Sequence, residues 1–160
     1  MRLSDQSMLQ NLRLRPMTRS DVGRIVLLES EIFPDPWPEA AFLEELDRAD
    51  RGVIVADISG MISGYASYIV IYGEAHLTNI AVVPEYRGKS IAKNLLIGIL
   101  EIAKKAGCEY IFLDVRPTNS AAINLYRKFG FYELYRRPSY YRSPVEDAVV
   151  MVKYLDEEYA

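Results

Sequence analysis

An α/β domain built on a mixed sheet is the fold class that the sequence predicts, and three features predict it. Apolar residues recur at strand-like and helix-like spacing in the order β-α-α-β-β-β-α-β-α-β-β. Two segments, Ala75 to Val83 and Tyr110 to Val115, read as buried strands, and each leads toward a segment of helical spacing. The length, 160 residues, suits one domain over 1–160 and is too short for two well-packed ones.

Taken in order, residues 1–11 read as a loose polar lead-in. Leu12-Arg-Leu-Arg15 alternates like a half-buried strand, and Pro16 ends it. Thr18 and Asp21, three apart, form a capping-box pattern that opens a helix with Val22, Ile25, Val26 and Leu27–Leu28 turned inward. Phe33-Pro-Asp-Pro-Trp-Pro38 breaks that helix, because three prolines forbid continuous helical bonding. Pro38 suits the first turn of a short helix carrying Phe42, Leu43 and Leu46. Val53 to Ile58 and Met61 to Ile71 are strands around a turn at Ser59-Gly60, and Ala75 to Val83 is the next.

From Arg87 to Ala106 the apolar positions Ile91, Leu95, Ile99 and Ile102 keep helical spacing, and Gly107 stops the helix. Tyr110 to Val115 is a strand, and Asn119 to Phe129 a helix closed by Gly130. Strands at about 131–136 and 148–153 follow, separated by a loop containing Tyr and Pro.

Composition narrows the function classes. Nineteen basic residues against twenty-two acidic ones give a net charge of -3. With a pI near 5.3, this argues against broad non-specific binding to nucleic acid. Charge by region adds little, except for an arginine cluster at Arg127, Arg136, Arg137 and Arg142. The longest apolar runs, such as Ile97 to Leu100 and Ala148 to Val152, fall far short of the roughly 18 residues of a membrane span. The first residues lack the apolar core and cleavage site of a secretory signal. A single cysteine, Cys108, leaves no internal disulfide and reads as a buried small hydrophobe, and a single histidine, His76, cannot build a His-pair metal site. A cytoplasmic, metal-free protein with no membrane contact is the expectation, and no oligomeric state is assigned.

The most informative stretch is Ile80-Ala-Val-Val-Pro-Glu-Tyr-Arg-Gly-Lys-Ser-Ile-Ala-Lys93. A buried strand passes through a tight cationic turn into an amphipathic helix. Helix-start N–H groups without intrahelical partners, with the helix dipole, make an anion site suited to a pyrophosphate. Gly88 allows close backbone approach, and Arg87, Lys89 and Lys93 add charge. Neither a P-loop nor a full G-x-G-x-x-G is present. By spacing alone an ordinary turn with solvated charges stays open beside the anion site.

The segment resembles the acetyl-CoA motif of the GNAT acetyltransferases, Arg/Gln-x-x-Gly-x-Gly/Ala, written here as Arg87-Gly88-Lys89-Ser90-Ile91-Ala92. The likeness extends through Leu77-Thr-Asn-Ile-Ala-Val82, Leu113-Asp-Val-Arg-Pro-Thr-Asn119 and Ala121-Ala-Ile-Asn-Leu-Tyr-Arg-Lys-Phe-Gly-Phe131. It continues through Arg137-Pro-Ser-Tyr-Tyr141 and Glu146-Asp-Ala-Val-Val-Met151, and it is similar to the RimI-like N-terminal protein acetyltransferases over about 12–155. Two positions depart from that pattern: Ser90 stands where the motif has glycine, and Asp114 where RimI-like enzymes carry glutamate.

The resemblance implies a GNAT fold, a seven-stranded, largely antiparallel mixed sheet with about four helices and splayed central parallel strands holding acetyl-CoA. Backbone groups of Ile80, Ala81 and Val82 would meet the pantetheine arm. Arg87, Gly88, Lys89, Ser90, Ile91, Ala92 and Lys93 would meet the pyrophosphate. Asn119 would sit near the thiol end, while capping its own helix.

Asp114 matches the family's base, with a pair to Arg116 or a tyrosine as the alternative. Tyr126 matches its general acid, with a core aromatic as the alternative. His76 would be a second base or a water-holder, unless it is incidental. Phe33 and Asp35 on one side, and Tyr140 and Tyr141 on the other, would form the walls of a peptide groove. The activity implied is direct transfer of acetyl from acetyl-CoA to a protein N-terminal amine, with ribosomal or nucleic-acid-associated proteins among the substrates. A small-amine acetyltransferase and a non-catalytic acetyl-CoA sensor are the rivals.

Overall fold

A computed structural model describes residues 3–155. The elements run α1 (Leu3–Gln10), β1 (Leu12–Pro16), a 3₁₀ turn (Arg19–Asp21), α2 (Val22–Ile32), α3 (Glu39–Glu44), β2 (Arg51–Ile58), β3 (Met61–Ile71) and β4 (Glu74–Val82). A second 3₁₀ turn (Pro84–Tyr86), α4 (Ile91–Lys105), β5 (Tyr110–Val115), α5 (Ser120–Lys128), β6 (Tyr132–Arg142) and β7 (Val145–Tyr154) complete them.

The strands form one seven-stranded sheet in the order β1-β2-β3-β4-β5-β7-β6. The pairs β1–β2, β5–β7 and β6–β7 are antiparallel, and β4–β5 is parallel. The β4–β5 ladder runs from Glu74–Tyr110 to Leu77–Leu113 and stops there, although β4 continues to Val82 and β5 to Val115.

The chain divides into two compact units. One comprises Met1–Tyr68 with Asn79–Ile99, the other Ile69–Thr78 with Leu100–Ala160. The core of the first gathers Val22, Ile25 and Leu28 of α2, Phe42 of α3, Val53 and Val55 of β2, Tyr65 of β3 and Ala81 of β4. The capping box is formed: Asp21 Oδ2 accepts the Thr18 N–H at 2.7 Å. Asp21 also takes two bonds from the Arg15 guanidinium, which holds its carboxyl down at about 2.

Close approach of α4 to the sheet depends on small residues. A Cβ on Gly64 of β3 would lie 2.7 Å from the Ala81 carbonyl oxygen and 3.1 Å from Ile91 Cγ2; one on Gly98 would lie 2.8 Å from Leu14 Cδ1. Gly64→Ala is therefore expected to lower stability by about 1–3 kcal/mol in denaturant unfolding, since a backbone oxygen cannot move aside as a side chain can. In the second unit Ile111, Leu113 and Val115 of β5 are buried, with Met151 and Val149 of β7 beside Leu113 and Val115 across the ladder, and Tyr126 and Phe131 are buried as well. β6 is the edge strand and is exposed at every position but Tyr141.

Four expectations need correction. Within 1–11, residues 3–10 form helix α1 rather than a loose lead-in, which brings the α-helices of the described residues to five. Leu27 faces outward at 57 % exposure, because successive helical residues cannot share the face that Ile25 and Leu28 bury. The helix expected from Arg87 begins at Ile91, since Gly88 and Ser90 both take left-handed backbone angles, φ 75° and 66°. The loop expected between the last two strands is instead the outer half of a long hairpin, β6–β7, turning at Ser143-Pro144 and accommodated by register shifts between Glu133 and Tyr135 and between Arg137 and Tyr141.

Candidate active site

In the first unit the geometry centres on the turn between β4 and α4. Val83 N–H is tied to the Ser63 carbonyl at 2.9 Å, and the Pro84–Tyr86 turn then reverses the chain. The first α4-side N–H to find a carbonyl is that of Asn94, which bonds Ser90 O at 3.1 Å; the Asn94 side chain donates to the same oxygen at 2.7 Å. The N–H groups of Ile91 to Lys93 precede it and have no intrahelical acceptor. Gly88 has nothing within 4 Å of where a Cβ would stand, so its backbone is open to a ligand.

Arg87 and Lys93 are exposed at this turn, and Lys89 Nζ holds Asp5 Oδ1 of α1 at 2.9 Å. A turn with open backbone, free N–H groups and three cations can hold a pyrophosphate. Ser90 is the departure from glycine, and its φ of 66° shows why glycine suits the position. Ser90→Val is expected to cost about 1–2 kcal/mol in thermal unfolding, because a β-branched residue is strained in that region, and Ser90→Gly is expected to retain the fold.

In the second unit β4 and β5 place His76 and Asp114 together. His76 pairs across the ladder with Phe112, and its ring meets the Phe112 ring edge-on, centroids 5.3 Å apart. Its Nε2 lies 3.5 Å from Asp114 Oδ2. From β6, Arg137 brings Nε to 3.5 Å from Asp114 Oδ1. Both separations exceed a good hydrogen bond, and Oδ1 is buried with no hydrogen-bond partner among the described residues. An acceptor left open between two cationic or cation-capable groups can receive a water or an ammonium N–H.

Arg116, the alternative partner considered for Asp114, instead bonds Glu146 Oε2 at 2.9 Å and the Pro144 carbonyl at 2.8 Å, and lies over the Tyr141 ring at 4.3 Å. Tyr126, on α5, is buried with its ring 5.8 Å from that of Phe131. Burial, and secondarily the neighbouring Tyr141, push its hydroxyl well above the ordinary phenol range, so it holds its proton. Burial and the charge of Asp114 push Tyr141 up to about 12. Asn119 caps α5, its side chain accepting Ala122 N–H at 3.3 Å. Cys108 is buried, and burial raises its thiol, which fits a packing residue and not an activated nucleophile.

Phe33 is half-buried against the core of the first unit, and Asp35 is exposed on the same loop. Tyr140 and Tyr141 stack edge-to-face on β6, centroids 5.1 Å apart. Two residues in these arrangements escaped assignment from sequence. Arg137 was legible as part of an arginine cluster and of the segment Arg137–Tyr141, but with no role; its alignment on Asp114 depends on the β6–β7 register. Glu29, a carboxylate buried in the first unit, carries no sequence signal apart from its place on the α2 stripe. Among the described residues no group of His, Cys, Asp and Glu could hold a metal ion, and no helix is long and apolar enough to cross a membrane.

Residues 23–131 match the acetyltransferase (GNAT) family, and the chain belongs to that family. It is an acyltransferase that uses acetyl-CoA as its co-substrate. Among individual proteins, it is 32 % identical over 139 residues to a putative [ribosomal protein bS18]-alanine N-acetyltransferase of Bacillus subtilis, covering 86 % of this chain and 92 % of that one. It is 36 % identical over 141 residues to the N-alpha-acetyltransferase RimI of Mycobacterium tuberculosis, covering 84 % and 87 %. In structure it is similar to the ribosomal-protein-S18-alanine N-acetyltransferase from Escherichia coli, with a TM-score of 0.83 and 27 % identity over 93 % of this chain and 99 % of that one.

Proposed function

We propose that this enzyme transfers acetyl from acetyl-CoA to the N-terminal α-amine of proteins, in the cytoplasm, with ribosomal proteins among its substrates. The observation that carries the reading is the Asp114 carboxylate, whose Oδ2 lies 3.5 Å from His76 Nε2 and whose buried Oδ1 has no hydrogen-bond partner among the described residues, in a family whose similar members include proteins named N-alpha-acetyltransferases. An α-amine, with a pKa of about 7.7–8.0 against about 10.4 for lysine, is easier to deprotonate by roughly 3.4 kcal/mol near neutral pH. A modest base suffices.

In this reading, backbone groups of Ile80, Ala81 and Val82 receive the pantetheine arm. Arg87, Gly88, Lys89, Ser90, Ile91, Ala92 and Lys93 hold the pyrophosphate. Asn119 serves the thiol end. Asp114 takes the ammonium proton through a water that His76 helps to hold. The freed amine attacks the thioester carbonyl; as the N–C bond forms and the C–S bond breaks, Tyr126 gives its proton to the departing sulfur, and the second proton, lost from the acylated nitrogen as the amide forms, returns through water to Tyr126. Phe33, Asp35, Tyr140 and Tyr141 contact the peptide.

Asp114→Asn is expected to lower kcat/KM, most steeply at low pH, where the amine depends most on a base; a pH–rate profile checks this. The reading as a whole is tested by thiol release from acetyl-CoA with N-terminal peptides and with polyamines. Release with peptides supports it. Release with polyamines alone makes the enzyme a small-amine acetyltransferase, and binding without release makes it a sensor.

A further inference from the structure

The loop Phe33-Pro-Asp-Pro-Trp-Pro38 has little backbone with which to fasten itself. Its three prolines carry no N–H, so only Phe33, Asp35 and Trp37 can donate. Two of those three donors end on one residue. The Glu29 carbonyl accepts the Phe33 N–H at 3.0 Å, and Glu29 Oε2 accepts the Trp37 N–H at 3.0 Å. Between these anchors Pro34, Asp35 and Pro36 are exposed.

The other carboxylate oxygen, Oε1, accepts the Tyr65 hydroxyl at 2.7 Å and the Asn79 side-chain amide at 3.0 Å. Asn79 is the residue of β4 immediately before Ile80. Glu29 is only 1 % exposed and lies on α2 with Ile25 and Leu28, which are as fully buried. A carboxylate in such a place is costly unless its lone pairs are met, and an apolar side chain would pack there without that cost. Here three donors converge on it, and together they connect α2, the loop, β3 and β4.

We propose that Glu29 is a positioning residue for the peptide acceptor. It clamps both ends of the 33–37 loop and ties that loop to β4 at Asn79. The inference rests on the reading that this loop contacts the peptide. Glu29 touches no reacting atom, so its loss acts on acceptor binding rather than on the chemical step.

The test is steady-state kinetics of Glu29→Met, similar in volume but without an acceptor, beside Tyr65→Phe, which removes a different donor from the same carboxylate and leaves Trp37 held. For Glu29→Met the peptide KM is expected to rise about ten-fold or more while the acetyl-CoA KM stays within about two-fold; Tyr65→Phe is expected to leave both KM values near wild type. An unchanged peptide KM in folded Glu29→Met, or an equal rise in both KM values, overturns the proposal. Should Glu29→Met not fold, Trp37→Pro deletes the N–H and leaves Glu29 in place. It is expected to raise the peptide KM above that of Trp37→Phe, which keeps the N–H, and equal values overturn the proposal. A wild-type enzyme that releases no thiol with any peptide refutes the peptide reading and this inference together. A wild type that acetylates peptides, with variants that match it, refutes the role of Glu29 alone.

Discussion

Tyr126→Phe is expected to lower kcat by about 10²–10⁴ with little change in acetyl-CoA affinity. The substitution deletes one hydroxyl and keeps the ring that packs 5.8 Å from Phe131. Tyr126 is buried, and burial raises its pKa, so the hydroxyl stays protonated and able to donate. If the tyrosine only fills space, the loss in kcat will be small and any loss will appear in unfolding. Single-turnover acetyl transfer, run beside calorimetric acetyl-CoA binding, separates the two roles.

The second large effect is expected at the β4–α4 turn. Arg87→Glu combined with Lys89→Glu should weaken acetyl-CoA binding by about 10²-fold or more, because two attractive charges become repulsive ones beside a pyrophosphate. The variant also breaks the Lys89–Asp5 pair, so circular dichroism must first show that the fold is intact. Raised salt is expected to narrow the gap between variant and wild type, since exposed charges are screened. Unchanged affinity in the folded variant would place the phosphates elsewhere.

Elements whose cause is local were legible in the sequence. β1, β2, β3, β5 and α5 stand within a residue or two of where apolar periodicity, Gly60, Asn119 and Gly130 put them. The capping box at Thr18 and Asp21 was readable for the same reason. α1 was not, because Leu3-Ser-Asp-Gln-Ser-Met-Leu-Gln10 has no apolar stripe and Asp5 finds Lys89 far away in the chain. The start of α4 was misplaced because spacing locates a helical face but not the left-handed residues, Gly88 and Ser90, that precede it. Pro138 and Ser139 fall in the stretch read as a loop, yet an edge strand tolerates a missing N–H, so β6 runs through to Arg142 and the turn is confined to Ser143-Pro144.

At the candidate site, Arg87 to Lys93, Asp114, Asn119 and Tyr126 were nominated from motif order. The partners supplied by tertiary pairing were not. Arg137 reaches Asp114 through the β6–β7 ladder, and Glu29 reaches Trp37, Tyr65 and Asn79 from a helix whose pattern says only that it is buried.

The central claim, that the acceptor is a protein's α-amine, is tested most directly by locating the acetyl group on a product. A peptide with a free N-terminus and an internal lysine is incubated with the enzyme and acetyl-CoA, and tandem mass spectrometry assigns the modified nitrogen. Acetyl is expected on the N-terminal nitrogen, and none on the lysine Nζ even when the N-terminus is blocked beforehand. Acetyl on the lysine Nζ, with the free N-terminus left unmodified, would contradict it.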